Sequence, residues 1–283
     1  MNSTYLLLSA IFLPILAMPF LVGLSGYLKH KVGWLALPIP ILGVFNIVRL
    51  GMENGWSSST KLNLNWLPEL GINASFLLDG TSFFFGLVVL GMGTFVTLYA
   101  TQYLHEPKYE NGKFYAYLML FMAAMTGTVF ANNIFILFIF WELTGIASFL
   151  LIGFYFQEKK SQKGALMALL VTGLTGLVLL IGLILLHIIT QASDISTINA
   201  LPITDLAWIK PALICLLIGA FCKSAQFPLH FWLPNAMAAP TPVSAYLHSA
   251  AMVKLGIFLV ARFYPIIQTS LPILELLIIF GFI

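Results

Sequence analysis

Charge is scarce in this chain of 283 residues: 13 Lys and Arg and 10 Asp and Glu make up 8% of it, where a soluble domain carries roughly 25%. Set against 60% hydrophobic residues, that shortage excludes a soluble globule. The net charge of +3 comes from scattered basic residues, so no nucleic-acid partner is expected. Cysteine is almost missing too. Cys215 and Cys222 stand seven residues apart in one apolar segment, about 10 Å apart on one helix face, which is too far for a disulfide. They are expected to be small buried hydrophobes. No Gly-rich phosphate loop or dinucleotide fingerprint occurs, and no apolar segment carries two histidines on one face, as a haem protein would need. No cofactor is expected, and no carboxylate cluster offers a metal site.

What is present is length of apolar run. A crossing needs about 20 apolar residues, and hydropathy places spans near 4–28, 32–50, 76–100, 114–131, 133–155, 164–190, 209–232 and 243–264, with a ninth beginning near 271. The expected fold class is therefore an all-α polytopic membrane protein: about eight complete helices, a truncated ninth, and a discontinuous seventh. Met1 to Tyr5 contain no Lys or Arg, and the run that follows is too long for a cleavable signal peptide, so the first span is expected to stay. The stretch from Met52 to Ser75 is the one long polar connection, an external cap or a hairpin. An apolar end at Ile283 without a polar stop suggests the N-terminal piece of something longer.

Lys29, Lys31, Lys108, Lys113, Lys159, Lys160 and Lys163 fall in odd-numbered connections, and Arg49, Lys61, Lys210 and Arg262 on the even-numbered side. The positive-inside rule then puts the odd connections in the cytoplasm and the N-terminus outside. Trp34, Trp56, Trp66, Trp208 and Trp232 fall near span ends, as an aromatic belt would place them. Trp141 lies deep in a span, next to Glu142.

Ionisable residues inside spans carry the most information, because Asp, Lys or Arg at a helix centre costs about 2.5 to 3.5 kcal/mol on insertion scales. Glu142, Lys223 and Lys254 accept that cost. One reading is structural, a Glu/Lys ion pair stapling two helices while the spare lysine snorkels outward. The other is a proton relay, in which a lysine held charged by Glu142 hands its proton toward Lys254 and His248 once the pair separates. In span seven, Pro228 removes a donor and clashes with the carbonyl of Ser224. The helix is therefore expected to break beside Lys223, where the negative end of a half-helix favours an ammonium; His230 follows at once. Broken helices of this kind mark ion pathways in transporters, and a plain proline kink is the alternative. Pro242 opens span eight, placing Ser244 and His248 on one face. Lys254 lies six residues on, about 120° round and about 9 Å along an ideal helix. Histidine titrates near neutral pH, which suits a relay; a His satisfied by a helix carbonyl is the bland reading. His30, His105 and His187, in loops or at a span end, are read as bland. Gly145, Ser148, Thr172, Gly173, Thr175 and Gly176 are expected to permit close helix packing.

The runs Phe140-Trp141-Glu142-Leu143-Thr144, Lys223 to Pro234 and Ala239 to Ala245 with the following His248 resemble the antiporter-like membrane subunits. That superfamily joins the proton-pumping subunits of respiratory complex I to the multisubunit Mrp-type Na+/H+ antiporters. His248 to Lys254 is most similar to the large A subunits of the Mrp type. The resemblance implies three parts: N-terminal helices one to three with the external loop (1–113), a first five-helix repeat (114–264) and the start of a second repeat (265–283). It implies Glu142, Lys223 and Lys254 as proton-transfer residues with His248 as connector, supported by His230, Pro228, Ser224 and Ser244. The implied partners are other antiporter subunits, protons, Na+ and the lipid bilayer of a cell membrane, for a secondary transporter rather than an enzyme. Asn235 stands where many relatives have Asp, and Ala238 and Ala239 where some carry Glu. A complex I proton-pumping subunit and a non-transporting membrane scaffold are the competing functions.

Overall fold

Helices and closed barrels are the two ways a chain can satisfy its backbone in lipid, and this chain takes the first. The computed structural model describes residues 3–54, 59–67, 72–104, 111–201 and 206–282. Trp56, His105 and Lys108 lie outside these. The order is α1 (Ser3–Leu28), α2 (Val32–Ala36), α3 (Pro38–Asn54), β1 (Thr60–Leu67), β2 (Ile72–Leu78), α4 (Gly80–Tyr103), α5 (Asn111–Phe130), α6 (Ile134–Ile152), α7 (Lys159–Thr190), α8 (Ile195–Ala200), α9 (Leu206–Lys223), α10 (Trp232–Ala236), α11 (Thr241–Ser244), α12 (Met252–Arg262), α13 (Tyr264–Ile267) and α14 (Leu271–Phe282). Six helical stretches among the described residues are apolar and long enough to cross a bilayer: Thr4–Glu53, Gly80–Tyr103, Asn111–Phe130, Ile134–Tyr155, Lys159–Thr190 and Thr241–Arg262. The first is doubled, because the chain turns at Lys29–Lys31 and α3 packs back on α1.

Helix α5 is apolar all round and nearly every residue in it is buried, the pattern of a central helix. Around it stand α1, α4 and α6; α7 packs on α6 and α9, and α12 on α9 and α4. The third span begins at Gly80 rather than near 76, because Ile72–Leu78 is a strand. The polar connection forms a hairpin, and the alternation Leu62, Asn63, Leu64, Asn65 explains β1: Leu62 is buried and both asparagines face outward. β1 and β2 run antiparallel, Thr60 facing Leu78 and Asn65 facing Asn73. Asp79 then caps α4, its side chain accepting from the Ser82 backbone at 2.9 Å while Ser82 accepts from the Asp79 backbone at 2.7 Å.

Even-numbered connections gather at one end. Phe76 bridges Ala131 and Asn133 bridges Asp194. Lys61 pairs with Asp194 at 2.7 Å, and Arg262 pairs with Asp79. His187 is the structural residue expected, its Nδ1 lying 2.9 Å from the Ala192 carbonyl.

Candidate proton-relay site

The break after Lys223 is built locally. The N–H of Gln226 donates to the Phe221 carbonyl at 2.9 Å and that of Ala225 to Cys222 at 3.0 Å, with Ala225 left-handed at φ 51°. This is a Schellman termination carried by alanine instead of glycine. The helix thus stops where expected, and the turn at Ala225 ends it. Pro228 lies beyond, exposed, in a cis peptide with Phe227.

Lys223 is the last residue of α9 and only 2% exposed. Its Nζ donates to the Trp141 carbonyl at 3.3 Å and lies 5.1 Å from the centre of the Trp141 ring. That carbonyl also accepts from the Thr144 hydroxyl at 2.6 Å. A buried amine with a carbonyl and an indole face is stabilised without a formal counter-ion.

Glu142, half-buried on α6, sits against α7. A Cβ on Gly176 would fall on its Oε1 and lie 3.0 Å from its Cδ, so Gly176 is the seat of this carboxylate. Gly145 is less constrained, a Cβ there lying 3.6 Å from Thr172 Oγ1 and 3.9 Å from Lys223 Nζ. Among the described residues no ion pair joins Glu142 to Lys223. Their charges are within electrostatic reach of each other, but the two side chains take separate seats. The directly bonded pair considered from the sequence is therefore not formed.

Ser224, 7% exposed, donates from Oγ to the Val253 carbonyl at 2.7 Å. That bond ties the break in α9 to the residue before Lys254. A Cβ on Gly256 would strike the Ala220 carbonyl and Ser224 Oγ, so the close approach of α9 and α12 requires glycine there.

Span eight departs from an ideal helix. Ala245–Ala250 form a π-helical turn, followed by a break at Ala251 with φ −122° and ψ −78°. The 120° and 9 Å offset between His248 and Lys254 expected on a regular helix therefore does not hold. His248 is 9% exposed, and neither ring nitrogen has a hydrogen-bond partner of acceptable geometry; the Ala236 backbone makes at most a weak contact. A hydrogen bond to a helix carbonyl is thus present only as that weak contact with Ala236, the last residue of α10. Its ring stands 6.3 Å from that of Trp232. Trp232 is not in an interfacial belt: it is fully buried and donates to the Cys222 carbonyl at 3.0 Å. Trp34, Trp66 and Trp208 are exposed, Trp66 on strand β1.

Not every predicted residue is enclosed. Lys254 and His230 are exposed, the latter 5.8 Å from the Phe227 ring. Ser244 is partly buried and donates to the Ala239 carbonyl at 3.3 Å. Trp232 is the site residue that the sequence misplaces, at the membrane interface; Gly176 permits the close approach expected of it, here by the carboxylate of Glu142. Among the described residues no group of His, Cys, Asp and Glu could hold a metal.

A buried amine at a helix break, a neighbouring carboxylate in a separate seat and a buried imidazole define a membrane protein built to hold charge in its interior. The chain belongs to the family described as the NADH:quinone oxidoreductase/Mrp antiporter transmembrane family, which matches residues 131–283. Residues 65–115 match the family described as NADH-ubiquinone oxidoreductase (complex I), chain 5 N-terminus. It is similar to a putative antiporter subunit, mnhA2, of Staphylococcus haemolyticus, with 46% identity over 86% of this chain and 31% of that protein. It also resembles Na(+)/H(+) antiporter subunit A1 of Staphylococcus aureus, with 43% identity over 92% of this chain and 33% of that one. A chain in the structure of the Mrp complex from Dietzia sp. superposes with a TM-score of 0.82 at 34% identity, covering 93% of this chain and 28% of that chain. The present chain thus spans about a third of the length of the curated relatives it matches.

Proposed function

We propose that this chain is a proton-translocating part of a multisubunit Na+/H+ antiporter and exchanges cytoplasmic Na+ for external protons. The observation that carries the reading is Lys223: an amine only 2% exposed at a broken helix, with Glu142 near enough to influence its charge. Two such groups in separate seats can change partners as a proton passes, and moving one charge across 100 mV exchanges about 2.3 kcal/mol. The names of the relatives at 43% and 46% identity, both antiporter subunits, favour the antiporter over the quinone oxidoreductase that the family description also includes. The partners would be the other antiporter subunits, within the cell membrane. The grouping of the even-numbered connections at one end supports an orientation with the lysine-rich odd connections in the cytoplasm and the N-terminus outside.

In this proposal Glu142 and Lys223 exchange charge, His248 connects, and Lys254 passes the proton on. The test is Na+-dependent proton flux in everted membrane vesicles carrying the complete antiporter. Lys223→Ala and Glu142→Gln should each lower flux at least tenfold at unchanged expression. Undiminished flux in both would leave the membrane scaffold as the better account.

A further inference from the structure

Helix α12 carries Lys254 near its start and Arg262 at its end. Arg262 is only 6% exposed, and burying a guanidinium is costly unless its donors are matched. One is: Nη1 donates to Asp79, the capping residue of α4. The other side of the fork is not. Nε and Nη2 are shielded from solvent and have no partner, and neither do Asn199 Oδ1 and Ser270 Oγ at the same end. Asn199 is held there because its Nδ2 donates to the Arg262 carbonyl at 2.8 Å.

Asp79 is ionised through the physiological range. Burial raises its carboxyl, and Arg262 together with the hydrogen bonds from Ser82 outweighs this and holds it below the ordinary carboxylate value. Asp79 is therefore no proton carrier at neutral pH; it is a fixed negative charge matched to a fixed positive one. Eight residues of helix separate Arg262 from Lys254, about 12 Å.

We propose that Asp79 and Arg262 are positioning residues for proton transfer at Lys254: the matched pair keeps the hairpin end of α12 electrically neutral and so sets the pH at which the relay gives up its proton. The inference rests on the proposed antiporter function. Unmatched, either charge would act along α12. At about 12 Å and an effective dielectric of about 20, one unit charge moves a neighbouring titration by about one pH unit, and screening at physiological salt roughly halves that. The other charged groups described at this end are two pairs, a lone acid and Lys210, which is exposed near the start of α9. Arg49 is paired with Glu53 on α3, Lys61 with Asp194 beneath the hairpin, and Glu275 lies on α14; α4, α5, α8 and β2 contribute none beyond Asp79.

The test is the pH profile of Na+-dependent proton flux by the complete antiporter in vesicles at low ionic strength. Asp79→Asn leaves an unmatched positive charge, which favours the deprotonated amine, and should move the midpoint down by about 0.5 to 1 pH unit. Arg262→Gln leaves an unmatched carboxylate and should move it up by a similar amount. The double variant should return to the wild-type midpoint, and so should Arg262→Lys, which keeps the charge. A structural clamp would instead lower amplitude in both single variants without opposite shifts. Midpoints that stay put, or that move in the same direction, overturn the inference. If neither single variant assembles, a shifted midpoint in the double variant or in Arg262→Lys overturns it. If Lys223→Ala and Glu142→Gln abolish flux while the pair variants do nothing, this inference fails alone; if those two leave flux intact, the antiporter relay fails with it.

Discussion

The carboxylate of Glu142 occupies the position that a side chain at residue 176 would need. Gly176 therefore acts on the site by omission: its missing Cβ makes room for a charged group between α6 and α7. Gly176→Ala should displace Glu142 from that seat and lower Na+-dependent proton flux at least tenfold. A nearby control, Gly173→Ala, meets nothing within 4 Å and should leave flux within about twofold of wild type. Equal fluxes in the two variants would show that the seat is irrelevant.

Trp232 closes the break in α9 by donating to the Cys222 carbonyl. Trp232→Phe keeps most of the ring and loses that bond, while Cys222 retains the Ala225 N–H as a second donor. The expected loss is about 1 kcal/mol, the usual net value of one hydrogen bond, read as a lower melting temperature in detergent.

His248 keeps its ring out of solvent with at most a weak contact to the Ala236 backbone, and a poorly satisfied buried polar group costs about 1 to 3 kcal/mol relative to a well-bonded one. His248→Leu should raise the melting temperature while lowering proton flux, since the apolar residue needs no partner and cannot carry a proton. A variant that melts lower would mean the imidazole finds partners in the membrane.

The ion pair of Asp79 with Arg262 has a pH signature in stability as well as in transport. Because the carboxyl is held below its ordinary value in the folded protein, its contribution is complete above about pH 4 and disappears as the pH falls through the lower, folded value. Thermal melts from pH 6 down to pH 3 should show the wild type losing more stability at the acid end than Asp79→Asn does.

The span pattern is legible because hydropathy and length report directly on burial in lipid; the helix stop beside Lys223 is legible from Pro228 and the lysine in an apolar run, although the turn at Ala225 is what ends the helix. The hairpin is half-visible: alternation at Leu62 to Asn65 spans only two repeats, and the hydropathy of the strand Ile72–Leu78 runs on into the following helix. Trp232 was placed at the membrane interface since its position in the run gave no hint that the chain folds back onto Cys222. The regular helix drawn through His248 and Lys254 failed for a related reason. A π turn and the break at Ala251 interrupt the span, and no sequence period marks them.

By itself the sequence determined the solvent and the chemistry: too little charge for water, runs long enough for a bilayer, and an acid and two amines retained where each is costly. Only the tertiary structure decided which of those groups meet. It seated Glu142 on Gly176 and Lys223 on Trp141, left Lys254 facing outward, and matched Asp79 to Arg262 across 183 residues of chain. The physical reason is range: hydropathy and capping act over one or two helical turns, whereas the partner of a buried charge is fixed by which helices pack together.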